Sequence, residues 1–95
     1  MDKIKKYTIS NQILRSGTSI GANIKEAQNA ESKLDFIHKL KISSKEADEL
    51  EYWLLLCNEV ESYPNADALL EQLTIIKKLL NKIISTSKNV KPIIS

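Results

Sequence analysis

The sequence predicts an all-α fold, an antiparallel up-down bundle of three long helices, and three observations support that class. Apolar residues recur three and four positions apart in three successive segments, which is the spacing of an amphipathic helix. No run alternates apolar and polar residues over enough positions to indicate a β-strand. The composition, 42% hydrophobic and 27% charged with two prolines, is typical of a helical globular protein. A chain of 95 residues holds one domain at most, so the domain is predicted to span residues 1–95.

The first helix is predicted over about residues 10–29. Ser10 is a good N-cap, and Ile9 and Leu14 are spaced to pack across it as a hydrophobic staple. Residues 1–9 are then a short N-terminal extension outside the bundle. The apolar stripe of this helix consists of Ile13, Gly17, Ile20, Ile24 and Ala27.

The second helix is predicted over about residues 32–61. Ser32 with Asp35 three positions later resembles a capping box, which marks the start of a helix. Pro64 ends the helix, because proline cannot continue the backbone hydrogen bonding. The apolar stripe consists of Phe36, Leu40, Ser43, Ala47, Leu50, Leu54 and Cys57.

Asn65 is predicted to cap a third helix over about residues 65–88. The apolar stripe of this helix consists of Leu69, Leu73, Ile76, Leu80 and Ile83. Residues 89–95 form a tail that is expected to fray or to dock on a partner. Because the predicted connections are only a few residues long, consecutive helices must run antiparallel.

Charge is sorted into blocks along the chain, although the net charge is only +2. Residues 1–45 carry nine Lys or Arg and four Asp or Glu, residues 46–71 carry eight acids and no base, and residues 72–95 carry five lysines and no acid. In an antiparallel bundle these blocks predict an acidic pole and a basic pole. The residues predicted to contact nucleic acid are Arg15, Lys25, Lys33, Lys39 and Lys41. Ordinary solvated lysines are the competing interpretation.

Both glycines of the chain, Gly17 and Gly21, lie inside the predicted first helix. Each lowers helix stability by about 1 kcal/mol relative to alanine, so another interaction must offset the loss. Close approach of a neighbouring helix would do so, because small residues let two backbones come together. A kink at Gly17 is the competing interpretation, but the apolar stripe continues in phase beyond it. The predicted helix-packing or oligomer-interface residues are Gly17, Ile20, Gly21, Ile24 and Trp53.

Residues 12–56 carry a family resemblance. They read QILRSGTSIGANIKEAQNAESKLDFIHKLKISSKEADELEYWLLL, with RSGTSIGANIKEA and KEADELEYWL as the most specific parts. This segment resembles the four-helix bundle family encoded in intervening sequences of bacterial 23S ribosomal RNA genes, sometimes labelled ribosomal protein-like. The family is similar to the accessory variability protein of diversity-generating retroelements. The resemblance implies a ring-like homopentamer that binds RNA or DNA and a partner protein such as a reverse transcriptase.

Family members usually carry another helix before the RSGTSIGAN helix. The resemblance therefore implies that the three predicted helices are the last three of a four-helix bundle and that the first family helix is missing, since residues 1–9 span only about two turns. Its absence would leave an apolar groove, and such grooves usually mark an interface. The residues predicted to line it are Ile42, Trp53, Leu56, Val60, Ile75 and Leu79.

The sequence argues against an enzyme, a cofactor, a metal site or a small-molecule substrate. His38 is the only histidine and has no positioned nucleophile or second titratable partner. Cys57 lies on the core stripe, where a buried thiol is inert. The acids at 46–51 lack the Glu-x-x-His pairs of a di-metal bundle, so a solvated or interface-facing surface is the better interpretation.

The chain is expected to be cytoplasmic and without membrane contact. No apolar run approaches the ~20 residues that span a bilayer, and the N-terminus lacks the apolar core of a signal peptide. Two functions remain open. The first is a nucleic-acid-associated accessory module that binds through the basic pole. The second is a protein-interaction or assembly module whose apolar groove receives a helix from a partner or a sister subunit.

Overall fold

The computed structural model describes residues 3–60 and 63–89, which form three α-helices and no strand. The helices are α1 (Lys3–Gln28), α2 (Lys33–Asn58) and α3 (Asp67–Asn89). The all-helical class and the number of helices are thus confirmed. Of the predicted tail 89–95, Asn89 ends α3 and the rest lies outside the described residues.

The three helices do not close into a compact bundle. α1 and α3 both pack against α2, but no Cα of α1 comes within 8 Å of a Cα of α3. The molecule is correspondingly flat, with extents of 57 × 20 × 13 Å. α2 is therefore the central helix, and the side of α2 between its two neighbours is left open.

α1 begins at Lys3, so the prediction that residues 1–9 lie outside the helix and that Ser10 caps it is wrong. Nothing between Lys3 and Ser10 breaks a helix, and Ile9 is 4% exposed in a core cluster that Trp53 and Leu56 also contact. Burial of Ile9 against α2 stabilises the helical conformation on both sides of Ser10. Ser10 is therefore inside the helix, although its local sequence is typical of an N-cap. The predicted staple is absent as well, because Leu14 is 66% exposed.

The predicted start of α2 is confirmed. The side-chain oxygen of Ser32 accepts a hydrogen bond from the Asp35 amide at 3.0 Å, which satisfies one of the free amides at the helix start. The helix ends at Asn58, a little before the predicted position.

The connection from α2 to α3 is held by asparagine side chains. Asn65 Oδ1 accepts from the Asp67 amide at 2.6 Å, as expected for a residue that caps α3. Asn58 Oδ1 accepts from the Ala66 amide at 2.7 Å, and Asn58 Nδ2 donates to Asp67 Oδ1 at 2.8 Å. The last residue of α2 thereby fixes the first turn of α3.

The closest approach of α1 to α2 is built from two serines and an alanine. Ser16, Ser43 and Ala47 are all fully buried. Ser43 Oγ donates to the backbone carbonyl of Ile20 at 2.9 Å, a bond between helices that requires the two backbones to lie close together. Small side chains at these positions make that approach possible.

The glycines do not take part in this approach. A Cβ placed on Gly17 or Gly21 would meet no atom within 4 Å among the described residues. The prediction that a neighbouring helix of this chain packs closely against them is therefore wrong. The predicted stripe was displaced by a fraction of a turn, because Ile9, Ser16, Ile20 and Ala27 are the buried residues of α1.

The acids of α2 bind both neighbouring helices. Arg15 of α1 contacts Glu46 at 3.2 Å and also pairs with Glu49. On the other side, Lys77 of α3 lies 2.9 Å from Asp48 and 3.2 Å from Glu51. The acidic run at 46–51 is thus a two-sided set of ion pairs that joins α2 to α1 and α3.

Candidate functional site: an apolar trough and a basic pole

The open side of α2 forms an apolar trough between α1 and α3. Its cavity measures about 210 Å³ and contains a single polar side chain, Gln72, among its lining residues. These residues are Ile13, Gly17, Leu50, Leu54, Leu69, Gln72, Leu73 and Ile76. A second cavity of about 240 Å³ continues the trough towards the α2–α3 connection, where Cys57 and Tyr63 join the lining.

α3 buries only two of the five residues of its predicted stripe. Leu73 and Leu80 are 3% exposed, whereas Leu69 is 54%, Ile76 38% and Ile83 41% exposed. Leu69 and Ile76 form part of the wall of the trough, and Ile83 follows two turns after Ile76 on the same side of α3. Burying a leucine or isoleucine is worth about 1.5–3 kcal/mol, so this wall holds a large unused capacity for packing.

Exposed apolar residues continue around α3 beyond the trough wall. Ile75 is 60% and Leu79 53% exposed. Together with the wall residues they give α3 an apolar face too broad for α2 alone to cover. The sequence analysis named Ile75 and Leu79 as residues that line an open apolar groove, and their exposure agrees with that expectation.

The predicted interface residues fall in different places. Gly17 lines the trough, and Gly21 follows one turn later on the same helix. Ile20 belongs to the core, and Ile24 is half-buried and packs against both core clusters. Trp53 lies outside the trough, with its ring 5.1 Å from that of Tyr52 in an edge-to-face arrangement. Of the predicted interface residues, only Gly17 is among those that line the trough.

The predicted groove lining is correct only in part. None of its six residues is among those that line the trough. Trp53, Leu56 and Val60 instead line a separate groove of about 460 Å³ with the first turns of α1. That groove exists because α1 extends to Lys3, which the sequence interpretation had not foreseen.

The basic pole is weaker than predicted, because two of its five predicted residues are already bound to acids. Arg15 donates to Gln12 at 3.0 Å and to Ser16 at 3.1 Å in addition to its pairs with Glu46 and Glu49. These interactions raise the pKa of Arg15, with the hydrogen bond to Glu49 as the largest cause. The guanidinium thus joins α1 to α2 and does not point away from the bundle.

Lys39 is also occupied. Its ammonium lies 3.0 Å from Glu26, and the hydrogen bond to that carboxylate raises the pKa of Lys39. Lys25, in the last turn of α1, is exposed beside this pair and lines a shallow cavity with Lys39.

Two lysines from different helices meet at the basic pole. Lys41 of α2 lies against Lys88 of α3, and the neighbouring ammonium lowers the pKa of Lys88. Neither lysine forms an ion pair with an acid among residues 3–60 and 63–89. Two adjacent ammonium groups without a carboxylate would favour binding of an anion.

The remaining chemical groups offer little chemistry. Burial raises the pKa of the Cys57 thiol, which keeps it protonated and unreactive, and His38 is exposed. The described residues contain no group of three or more side chains suited to a metal ion. The Tyr63 hydroxyl is buried without a hydrogen-bond partner in the described part of the chain, at the end of the trough.

None of α1, α2 and α3 has the length and apolar character needed to cross a membrane.

Comparison with known proteins gives a consistent result. The family model of the 23S rRNA-intervening sequence protein matches residues 1–82. A crystal structure of a protein of unknown function from the S23 ribosomal protein family of Bacteroides thetaiotaomicron is 50% identical, with a TM-score of 0.79. That match covers 86% of this chain and 78% of the other. No curated protein matches the chain. The matched residues include α1, α2 and most of α3, so the trough lies within the shared region.

Proposed function

The chain belongs to the 23S rRNA-intervening sequence protein family, and from that premise we propose that it is an assembly module whose apolar trough receives a helix. The carrying observation is the exposure of Leu69, Ile76 and Ile83, which lie in phase with the buried stripe of α3 but are only partly covered by the other described residues. Exposed apolar surfaces of this extent mark interaction sites in folded proteins. A helix laid in the trough would bury them.

The glycines support this function, although neither of them packs against another helix of this chain. Gly17 lies in the trough wall with nothing within 4 Å of its missing Cβ. A helix in the trough would meet bare backbone there and could approach α1 closely. The loss of about 1 kcal/mol of helix stability at each glycine would then be offset by the interaction with the partner.

The test is to place a large side chain in the trough wall. We expect Gly17→Leu to expel any occupant while leaving the isolated chain folded, because a Cβ at this position meets no atom within 4 Å and the rest of the side chain can enter the open trough. The matched control is Thr18→Leu, which places the same side chain on an exposed neighbouring position. Light scattering at high salt reports self-association, and a fluorophore at Gln72→Cys in a Cys57→Ala background reports occupancy by a synthetic amphipathic helix.

The function is supported if a second copy or the peptide occupies the trough of the native chain and of Thr18→Leu but not that of Gly17→Leu. A label that stays solvent-exposed with both, or occupancy that survives Gly17→Leu, would contradict it.

A second function is favoured by one specific observation, the contact between Lys41 and Lys88. In this proposal the basic pole holds the phosphates of RNA or DNA, with little readout of sequence. A symmetric assembly, such as the ring of five that the family resemblance implies, would repeat the lysines and strengthen their field. The ion pairs of Arg15 and Lys39 reduce the number of cations available, so the trough is the better supported site.

Charge reversal tests the basic pole. We expect Lys41→Glu with Lys88→Glu to weaken binding of a mixed-sequence RNA or DNA about tenfold or more, and raising the salt to weaken the native chain steeply. The control is Lys5→Glu in the first turns of α1, at the opposite end of the molecule. Binding that ignores salt, or no binding at low salt, would contradict this function.

A further inference from the structure

We propose that the groove between the first turns of α1 and the last turns of α2 binds the outer face of α3 from a second copy of this chain. The cavity of this groove measures about 460 Å³, and its apolar lining consists of Ile4, Ile9, Trp53, Leu56 and Val60. None of these residues lines the trough, so the contact goes beyond the proposed function of the trough.

The groove has the composition of a protein-binding surface. Trp53, the one tryptophan of the chain, is only half-buried there. Tyr52 and Leu55, beside it on α2, are both more than half exposed. Tryptophan and tyrosine are enriched among the residues that dominate binding at protein interfaces. The apolar surface therefore extends from the groove onto the outer side of α2.

The outer face of α3 forms a ridge that matches the groove. Ile75 follows the buried Leu73 by two positions, so it lies on the side of α3 opposite to α2. Leu79 lies one turn later, and both Ile75 and Leu79 are more than half exposed. The groove residues from Trp53 to Val60 span about 10 Å of α2, which is long enough to hold these two side chains.

The charges around the groove and the ridge are complementary. Lys78 and Lys82 flank the two apolar residues of the ridge, and Glu59 lines the groove. None of these three residues forms an ion pair within the described part of the chain. If the α3 of the second copy runs in the direction of α2, Lys82 lies against Glu59, and Glu71 lies at the other end of the ridge. Complementary charges of this kind select one partner and one register, so they favour a second copy as the occupant.

The groove and the ridge lie on different sides of the molecule. α1 and α2 form the groove, whereas the ridge faces away from α2, so one chain can use both surfaces at once. Because the two surfaces differ, the contact is heterologous, and copies joined in this way can close into a ring. A ring is also the assembly that the family resemblance implies.

The first test is made in a Gly17→Leu background, so that association through the trough does not contribute. We expect light scattering to detect particles of more than two copies as the concentration rises, because each added copy leaves a groove and a ridge free. The emission of Trp53 should move to shorter wavelength in parallel, since the second copy covers the groove.

Arginine substitutions then block each surface separately. Thr8→Arg places a long charged side chain at an exposed position in the groove, and Leu79→Arg places one on the ridge. Each should weaken association by more than about fiftyfold, because the contact would have to bury a charge. The controls are Thr18→Arg and Leu34→Arg, which change the same residue types at exposed positions outside both surfaces. Circular dichroism verifies that all variants are folded.

Mixing the two blocked variants tests whether the contact is heterologous. Thr8→Arg keeps its ridge and Leu79→Arg keeps its groove. Equal amounts of the two should therefore form a pair of chains, although neither variant associates alone.

A charge swap tests the register. Glu59→Lys and Lys82→Glu should each weaken association about fivefold, because each places like charges together. The double variant restores opposite charges and should return to within about threefold of the unswapped chain.

Assembly beyond two copies, its loss in both blocked variants and pairing of their mixture support the proposal. A monomer at all concentrations, a native mass of two chains, a mixture that does not pair, or a double charge variant as weak as the single ones overturns it. The function of the trough is decided separately, by whether the synthetic helix enters the trough of the native chain.

Discussion

Individual residues decide how tightly α1 and α2 pack. Ser43 is fully buried, and its hydroxyl donates to the Ile20 carbonyl across the helix interface. Ser43→Ala should lower the free energy of unfolding by about 1 kcal/mol through loss of that bond. Ser43→Leu should lower it by about 3 kcal/mol or more, because the two backbones would have to separate. Urea denaturation measures the stability of both variants, and Ser44→Ala, at a half-buried position, is the control. Equal stability of all variants would show that the helices do not approach closely here.

The contact of Arg15 with Glu49 makes stability depend on pH. The hydrogen bond from Arg15 lowers the pKa of Glu49 in the folded chain. A carboxylate whose pKa is depressed by folding contributes stability above its unfolded pKa, and this is lost as the pH falls through the folded pKa. The native chain should therefore lose more stability than Arg15→Gln between about pH 5 and pH 3. Thermal denaturation across that range measures the difference, with Lys25→Gln as the control; parallel curves for native and Arg15→Gln would contradict the expectation.

At the scale of the helix, the glycines of α1 should oppose folding and favour association. Gly17→Ala adds a methyl group that meets no atom within 4 Å, so the isolated chain should gain about 0.5–1 kcal/mol from helix propensity. The same methyl group should weaken trough occupancy, because it separates the two backbones. Urea denaturation at low protein concentration measures the expected gain in stability. Light scattering at high concentration measures the expected loss of association. A variant that is less stable as a monomer would indicate a contact at Gly17 that the structure does not contain.

The sequence predicted helices better than it predicted their limits and faces. Ser32 and Asn65 are caps that act through neighbouring amides, so local pattern located the starts of α2 and α3 correctly. Ser10 has the same local character, but α1 continues through it because Ile9 packs against distant residues of α2. Contacts between residues so far apart in the chain leave no local signal.

The same limit explains the misplaced site. Periodicity identified the apolar stripe of α3, yet it does not say which part of a stripe another helix covers. Leu73 and Leu80 are covered, whereas Leu69 and Ile76 are exposed in the trough wall. For the basic pole, the charge pattern of the sequence located the lysines. Only the packing of α1 on α2 shows that Arg15 and Lys39 form ion pairs with acids.

The whole molecule is elongated and carries charges of opposite sign in different regions. We expect this charge distribution to set the association rate constant of two copies. Acids concentrate in residues 46–71 and lysines in residues 72–95, so the acidic region of one copy attracts the basic region of another. Attraction between such surfaces speeds encounter and is screened by salt, whereas apolar burial holds the formed complex. The association rate constant should therefore fall several-fold between about 0.05 and 0.5 M NaCl while the dissociation rate constant changes little. Stopped-flow fluorescence of labelled chains measures both, and Glu59→Gln, which removes an exposed acid, should reduce the salt dependence. A rate of association that does not respond to salt would mean that the charge blocks have no part in bringing the copies together.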